Sequence, residues 1–139
     1  MIKLYLDIDG VLLTAKNPRP AEGAAEFIAF VTAHFDCYWL TTHCQGNTDT
    51  VLRYLSEYFD DATMERLRSI KPTRWGTWKT DAIDFDSEFV WLDDYAMQTE
   101  KAVLRQHNAS DSLILVTLHG SNNLRNLLTQ WQNSYASEE

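Results

Sequence analysis

Short apolar runs along the chain alternate with longer segments in which apolar residues recur three and four positions apart. The short runs are typical of buried strands, whereas the longer spacing indicates one apolar face of a helix. We predict strands at 2–8, from 37 to about 41, at 89–92 and at 113–118, longer helices at about 20–34, 48–59, 97–107 and 121–131, and short helices at 64–70 and 76–84. The polar residues 133–139 are predicted to form a frayed tail.

The order of these elements predicts the fold class. Strands that alternate with helices indicate a parallel sheet with helices packed on both faces. We therefore predict an α/β fold, a three-layer sandwich around a doubly wound, mostly parallel sheet. The chain of 139 residues has the length of one domain, so a single domain spanning 1–139 is expected.

Composition and charge narrow the class of protein. Apolar residues make up 45% of the chain, enough for an ordered core. The formal net charge of −8 lacks the basic excess of a general nucleic-acid binder, although it leaves room for a local basic pocket. No apolar run approaches the ~20 residues that cross a membrane, and the early acid Asp7 argues against a signal peptide. We expect a cytoplasmic protein without a membrane partner, in which Cys37 and Cys44 are reduced thiols.

Polar side chains that end the predicted strands are the first candidates for chemistry, because ligands of this fold class bind outside the carboxyl ends of the strands. The first strand ends in Asp7 and Asp9, and the 89–92 strand is followed by Asp93 and Asp94. Carboxylates from two strands at one edge repel one another unless a cation lies among them. The pattern therefore predicts a cation site at this edge.

The spacing within the first group indicates which cation. Asp7 and Asp9 are two residues apart, so in an extended chain they point to the same side, about 6.6 Å apart. Gly10 allows a sharp turn, and its N–H can approach a bound anion. An all-carboxylate set suits Mg²⁺, and the lack of His or Cys among these acids disfavours zinc.

Three segments together resemble a known family. DIDGVL at 7–12, WLTT at 39–42 and VWLDD at 90–94 follow hydrophobic strands in that order, with a lysine between the second and the third. This arrangement resembles the haloacid dehalogenase-like phosphohydrolase superfamily. The resemblance implies that family's Rossmann-like fold and a Mg²⁺-dependent hydrolase acting on a phosphate monoester.

The resemblance also implies roles for the matching residues. Asp7 would be the nucleophile that forms an aspartyl-phosphate, and Asp9 the general acid and base. Thr41 would bind the phosphate through its hydroxyl, with the backbone N–H of Thr42 beside it. Mg²⁺ would be held by Asp7, by the carbonyl of Asp9 and by one of the acids of the VWLDD segment.

Several assignments stay open within that reading. Either Asp93 or Asp94 could contact the metal, and either Lys79 or Lys71 could neutralise the phosphoryl charge. We favour Lys79, because it opens a helix-like segment nearer the VWLDD strand. Neighbours that could contact substrate or simply pack in the fold are His43, Cys44, His119, Trp75 and Trp78.

The gaps between the matching segments predict a member without a cap domain. The chain between Asp7 and Thr41, and between Thr41 and Lys79, is nearly filled by one helix and its connections. The loop 11–19 carries Lys16 and Arg19 and could close over the site. The substrate could be a small phosphate ester, a phosphoprotein or a nucleic-acid end, the last being least favoured by the acidic charge. The alternative function is a binding or regulatory module with the same fold and little turnover, and the oligomeric state stays open.

Overall fold

The centre of the protein is one parallel sheet. The computed structural model describes residues 1–138. The strands are β1 (Lys3–Leu6), β2 (Asp36–Trp39), β3 (Phe89–Asp93) and β4 (Leu113–Leu115). They lie in the order β2-β1-β3-β4, and every neighbouring pair is parallel. The carboxyl ends of all four strands therefore lie along the same edge of the sheet.

Helices connect these strands. They are α1 (Ala24–His34), α2 (Asp49–Leu55), α3 (Asp61–Leu67), α4 (Gln98–Gln106) and α5 (Leu124–Glu138), with short 3₁₀ turns at Lys79–Ala82 and Ser110–Ser112. Within residues 1–138 the segments that join β1, β2 and β3 contain only helices, turns and loops, with no second sheet.

Both faces of the sheet are apolar, as expected where helices cover each side. Alternate side chains of β1 point to opposite faces, so Leu4 and Leu6 belong to one core and Tyr5 to the other. The first core includes residues of α1, α2, α3 and α5, and the second includes Leu104 of α4. The predicted α/β class, with a parallel sheet between two helical layers, is confirmed.

Several predicted boundaries are wrong. Strand β2 ends at Trp39 rather than near Thr41, and β4 has only three residues, although the N–H of Val116 still donates to the carbonyl of Asp93 at 2.8 Å. Helix α5 continues to Glu138, well beyond its predicted end at 131 and through most of the predicted tail. Tyr135 packs against Phe30 and Phe35, which extends the tertiary contacts of α5 into this polar segment. Residue 139 lies outside the described part of the chain.

Two predictions from composition can be compared with the structure. Cys37 and Cys44 are both free and buried, as expected for reduced thiols. In the described residues, no helix has the length and apolar character needed to cross a membrane.

Candidate active site

The carboxyl ends of β1 and β3 bring acids from both strands together. Asp7 extends the pairing of the two strands by one residue, since its N–H donates to the carbonyl of Leu92 at 3.1 Å. Asp7, Asp93 and Asp94 each offer a carboxylate oxygen within 4.8 Å of the others. We call these three residues the acid cluster. Adjacent parallel strands end at the same edge, which is why residues so distant in sequence meet here.

Lys79 is the cation of this cluster. Its Nζ lies 2.7 Å from Asp93 Oδ2 and 3.4 Å from Asp7 Oδ2, and only 14% of its side chain is exposed. Burial opposes the ammonium charge, but the carboxylates of Asp7 and Asp93 outweigh it and raise the pKa of Lys79. Burial and the Asp7 carboxylate raise the pKa of Asp93 to about 8, against the attraction of Lys79. One ammonium thus pairs with two of the three carboxyl groups of the acid cluster.

The backbone of Lys79 is held by a buried acid. Glu100, in the first turn of α4, accepts a hydrogen bond from the N–H of Lys79 at 2.8 Å through Oε2. Its other oxygen accepts from the N–H of Met97 at 2.9 Å. Glu100 is only 4% exposed, so it fixes the start of the 3₁₀ turn that carries Lys79.

Lys71, the alternative lysine, lies elsewhere. Its Nζ pairs with Asp36 Oδ1 at 2.8 Å, at the amino end of β2. The same ammonium lies 5.3 Å from the ring centroid of Tyr38. The structure therefore brings Lys79, and not Lys71, to the acid cluster.

The two acids at the end of β3 have different surroundings. Asp93 is buried, and its Oδ1 accepts hydrogen bonds from the N–H groups of Asp94 and Tyr95. Asp94 is exposed and lies against the backbone of Gly10. A Cβ atom at Gly10 would overlap the Asp94 carboxylate, and the φ of Gly10 is +84°, so glycine is needed here for both space and conformation.

Asp9 points away from the acid cluster, which corrects the expectation that four carboxylates converge. Strand β1 ends before Asp9, and the chain turns back so that the N–H groups of Val11, Leu12 and Leu13 approach the carbonyl of Ile8. The alternation of an extended strand therefore no longer sets the direction of this side chain.

Two aromatic residues hold the Asp9 carboxylate instead. His43 Nε2 lies 2.8 Å from Oδ2, and the hydroxyl of Tyr54 donates to Oδ1 at 2.9 Å. The rings of His43 and Tyr54 stack with their centroids 4.5 Å apart. Burial and the Asp9 carboxylate raise the pKa of Tyr54 to about 12, so its hydroxyl stays protonated as a donor. We call Asp9, His43 and Tyr54 the Asp9 clamp.

The turn after β2 presents two threonines differently. Thr41 is completely buried, and its hydroxyl accepts a hydrogen bond from the N–H of His43 at 3.3 Å. Thr42 is exposed and lines the cavity above the acid cluster. Of the two threonines predicted to bind phosphate, only Thr42 therefore lines the acid cavity.

Two neighbouring cavities open at this edge. The first, which we call the acid cavity, has a volume of about 210 Å³ and includes the acid cluster, Thr42 and Lys79. The second, about 440 Å³, lies beside the loop after β1, and we call it the loop cavity. Asp94 lines both cavities. The two cavities therefore share the Asp94 side chain as part of their walls.

The other residues that the sequence named as possible substrate contacts lie in different parts of this region. Trp75 lines the acid cavity and His119 the loop cavity, whereas His43 belongs to the Asp9 clamp. Cys44 is buried, and its thiol lies 3.3 Å from the carbonyl of Asn47. The N–H of Trp78 donates to the neighbouring Asp81 at 3.3 Å, and Trp78 does not appear among the residues that line the acid cavity.

Two residues of this region were missed from the sequence. Tyr54 follows Val51 by three residues and lies at the edge of the apolar face of α2, where a residue with both a ring and a hydroxyl is a usable signal. Glu100 follows Met97 by three residues at the start of a helix, the spacing of a capping acid. Neither signal predicts which distant residue the side chain contacts.

Comparisons with known proteins add no relative. No family model, no curated protein and no solved structure matches the chain.

Proposed function

We propose that the protein is a Mg²⁺-dependent phosphohydrolase that cleaves a phosphate monoester through an aspartyl-phosphate on Asp7. The observation that carries this proposal is the Lys79 ammonium, which lies between Asp7 and Asp93 at the edge where parallel strands end. A nucleophilic carboxylate beside a buried cation suits attack on a phosphoryl group, because the cation offsets the repulsion between two anions.

The reaction is assigned to this chain's own residues in two steps. An Asp7 oxygen attacks phosphorus, the bond from phosphorus to the ester oxygen breaks, and protonated Asp9 gives its proton to the departing oxygen. Water then attacks the same phosphorus, Asp9 takes a proton from it, and the bond to Asp7 breaks to release inorganic phosphate. Lys79 stabilises the negative charge of the phosphoryl group throughout.

The oxygen donors of the acid cluster fit Mg²⁺. Three carboxyl groups offer oxygens within 4.8 Å of one another, and the cavity above them is open to water and to phosphate oxygens. We assign the metal to Asp7 and Asp94, with Asp93 beside them, because Asp94 is exposed whereas Asp93 already binds Lys79. When bound, Mg²⁺ would neutralise the cluster and polarise the phosphoryl oxygens.

The turn at Thr41 and Thr42 supplies the remaining phosphate donors in this proposal. Thr42 faces the acid cavity, so its hydroxyl and N–H are the accessible groups. The buried Thr41 hydroxyl supports the turn through the N–H of His43. Gly10, whose N–H was expected to approach the anion, lines the loop cavity instead, and its N–H donates to the carbonyl of Leu13 at 2.7 Å.

One observation favours the alternative, a binding module with little turnover. Both oxygens of Asp9 already have partners in the Asp9 clamp, so the acid and base of the reaction is restrained away from the acid cluster. Such a module would bind phosphate and metal in the acid cavity without cleaving an ester. Turnover measurements separate the two functions.

The direct test is hydrolysis of 4-nitrophenyl phosphate with and without Mg²⁺. We expect turnover that requires Mg²⁺ and falls by several orders of magnitude in Asp7→Asn, because the amide keeps the shape but cannot form the acyl phosphate. Asp111→Asn is the matched control, since it makes the same change at an exposed site before β4. Retention of a tenth of the wild-type turnover by Asp7→Asn would show that Asp7 is not the nucleophile.

A further inference from the structure

The loop cavity carries a charge opposite to that of the protein as a whole. Lys16 and Arg19 both line it, together with His119 from the far side, in a chain whose formal net charge is −8. Within residues 1–138, neither Lys16 nor Arg19 forms an ion pair with an acidic side chain. The one acid in the lining is Asp94. Two cations without protein partners thus face one cavity beside the acid cluster.

The loop that carries these cations has internal hydrogen bonds. The Thr14 hydroxyl lies 3.1 Å from the carbonyl of Asn17 and accepts a hydrogen bond from the N–H of Arg19 at 3.1 Å. The N–H of Thr14 also donates to the carbonyl of Arg19 at 2.9 Å. At the base of the loop, Leu13 pairs with Pro20. Lys16 and Arg19 therefore project from a closed loop, which lowers the entropy cost of binding an anion between them.

The opposite wall is closed in a similar way. The N–H of Thr117 donates to the carbonyl of Asn122 at 3.0 Å, and the N–H of Gly120 donates to the carbonyl of Thr117 at 2.9 Å. The side-chain amide of Asn122 donates to the carbonyl of Leu115 at 2.7 Å. These bonds hold His119 on a turn directly after β4, across the cavity from the basic loop.

We infer that the loop cavity is a second anion subsite, built by Lys16, Arg19 and His119, that selects small phosphate esters with a second anionic group. This inference rests on the proposed function, because the ester phosphate is placed in the acid cavity and the rest of the molecule extends past Asp94. The volume of about 440 Å³ suits a small molecule, and the second group is a carboxylate or a phosphate. Arginine and lysine are the usual partners of both groups.

The test compares substrates that differ only in the second anion. Phenyl phosphate has none, 4-carboxyphenyl phosphate has a carboxylate and hydroquinone bisphosphate has a phosphate. Glucose 6-phosphate and glucose 1,6-bisphosphate repeat the comparison on a second scaffold. We expect kcat/KM to be at least about tenfold higher for the doubly anionic member on at least one scaffold, since charge-assisted hydrogen bonds are the strong ones. The carboxylate and bisphosphate arms show which anion is preferred.

Variants of the two basic residues test whether the loop cavity causes the preference for doubly anionic substrates. Lys16→Gln and Arg19→Gln together should remove most of the preference by raising KM for the doubly anionic substrates, with KM for phenyl phosphate changed by less than about twofold. Arg105→Gln is the matched control, because Arg105 is exposed and lies on α4 by a different cavity. It should leave both substrate classes unchanged. The subsite would be overturned if the double variant lost kcat/KM equally for singly and doubly anionic substrates. It would also be overturned if Arg105→Gln lost as much of the preference as the double variant.

A binding measurement separates failure of this inference from failure of the proposed function. Calorimetric titration of the Asp7→Asn protein with hydroquinone bisphosphate and with phenyl phosphate measures affinity without turnover. Tighter binding of the bisphosphate that is lost in the Lys16 and Arg19 double variant supports the subsite even if no ester is cleaved. If phenyl phosphate is hydrolysed, but the doubly anionic compounds are neither turned over faster nor bound more tightly than it is, the phosphohydrolase proposal is supported and the subsite is overturned.

Discussion

Lys79 and Lys71 show how surroundings separate two residues of the same type. Lys79 is mostly buried between two carboxylates of the acid cluster, and Lys71 is exposed in a surface pair with Asp36. If the phosphohydrolase proposal holds, Lys79→Ala should lower kcat by roughly 10²–10³, the scale of losing one stabiliser of transition-state charge. Lys71→Ala should stay within a few-fold of wild type. Steady-state assays on both variants check this, and the reverse pattern would transfer the role to Lys71.

The Asp9 clamp leads to a second prediction at the scale of single residues. Tyr54→Phe removes the hydroxyl that donates to Asp9 Oδ1 and leaves the ring in place. We expect kcat to rise roughly several-fold with KM nearly unchanged, because the hydrogen bond from Tyr54 helps to restrain Asp9 away from the acid cluster, and its loss affects the proton transfers rather than binding. Steady-state kinetics with 4-nitrophenyl phosphate measures both parameters.

Tyr58→Phe is the control for that substitution. Tyr58 lies one turn further along the chain and packs edge-to-face against Tyr54, with ring centroids 5.6 Å apart. Its substitution tests whether loss of any tyrosine hydroxyl from this aromatic group affects turnover. Equal kinetics of the Tyr54 and Tyr58 variants, or a change in KM alone, would remove the positioning role of Tyr54.

At the scale of elements, the amino end of β2 is tied to its surroundings by charge. Asp36 accepts hydrogen bonds from the Lys71 ammonium at 2.8 Å and from the Tyr38 hydroxyl at 3.0 Å. The Lys71 hydrogen bond lowers the pKa of Asp36, against an opposing effect of burial. A lowered pKa in the folded protein contributes stability above the unfolded-state pKa of about 3.9, and this stability is lost as the pH falls through the folded value.

Asp36→Asn should therefore have a pH-dependent effect. We expect its Tm to lie about 1–4 °C below wild type at pH 7, the scale of a largely exposed ion pair. The difference should shrink as the pH is lowered below about 4, where the wild-type carboxyl becomes protonated as well. Thermal melts of both proteins between pH 7 and pH 2 measure this, with Asp111→Asn as the control. A difference that is constant with pH would show that charge is not the cause.

For the whole molecule, the acid cluster predicts a link between metal binding and stability. Three carboxyl groups lie within 4.8 Å of one another, and one ammonium pairs with two of them, so like charges repel in the metal-free fold. A cation that binds only the folded state adds about 2.7 kcal/mol at a hundredfold excess over its Kd. Wild-type Tm should therefore be several degrees higher in millimolar Mg²⁺ than in chelator.

Two asparagine variants connect that effect to particular acids. Asp93→Asn should stabilise the metal-free protein, since a buried and mutually repelling carboxyl is removed, and should weaken the Mg²⁺ shift. Asp94→Asn should abolish most of the Mg²⁺ shift with little effect in chelator, because Asp94 is exposed. Identical wild-type melts in the two buffers would show that the cluster does not bind this metal.

The sequence by itself determined the sheet, the two helical layers and the edge where the acids lie. Alternation and apolar runs are local properties, and parallel strands of an α/β fold end at a common edge, so residues at strand ends are brought together by the fold class. Asp7, Asp93 and Asp94 meet for this reason. Lys79 was favoured over Lys71 from its place in the chain, and it is the lysine that reaches them.

Only the tertiary structure decided where side chains outside regular strands point. The turn at Ile8 directs Asp9 toward His43 and Tyr54, and the packing of α4 brings Glu100 to the backbone of Lys79. Neither contact has a periodic signature, because each joins residues that are far apart in sequence and meet only after the layers have packed. The length of α5 has the same origin, since Tyr135, beyond the predicted end at 131, packs against Phe30 of α1 and against Phe35.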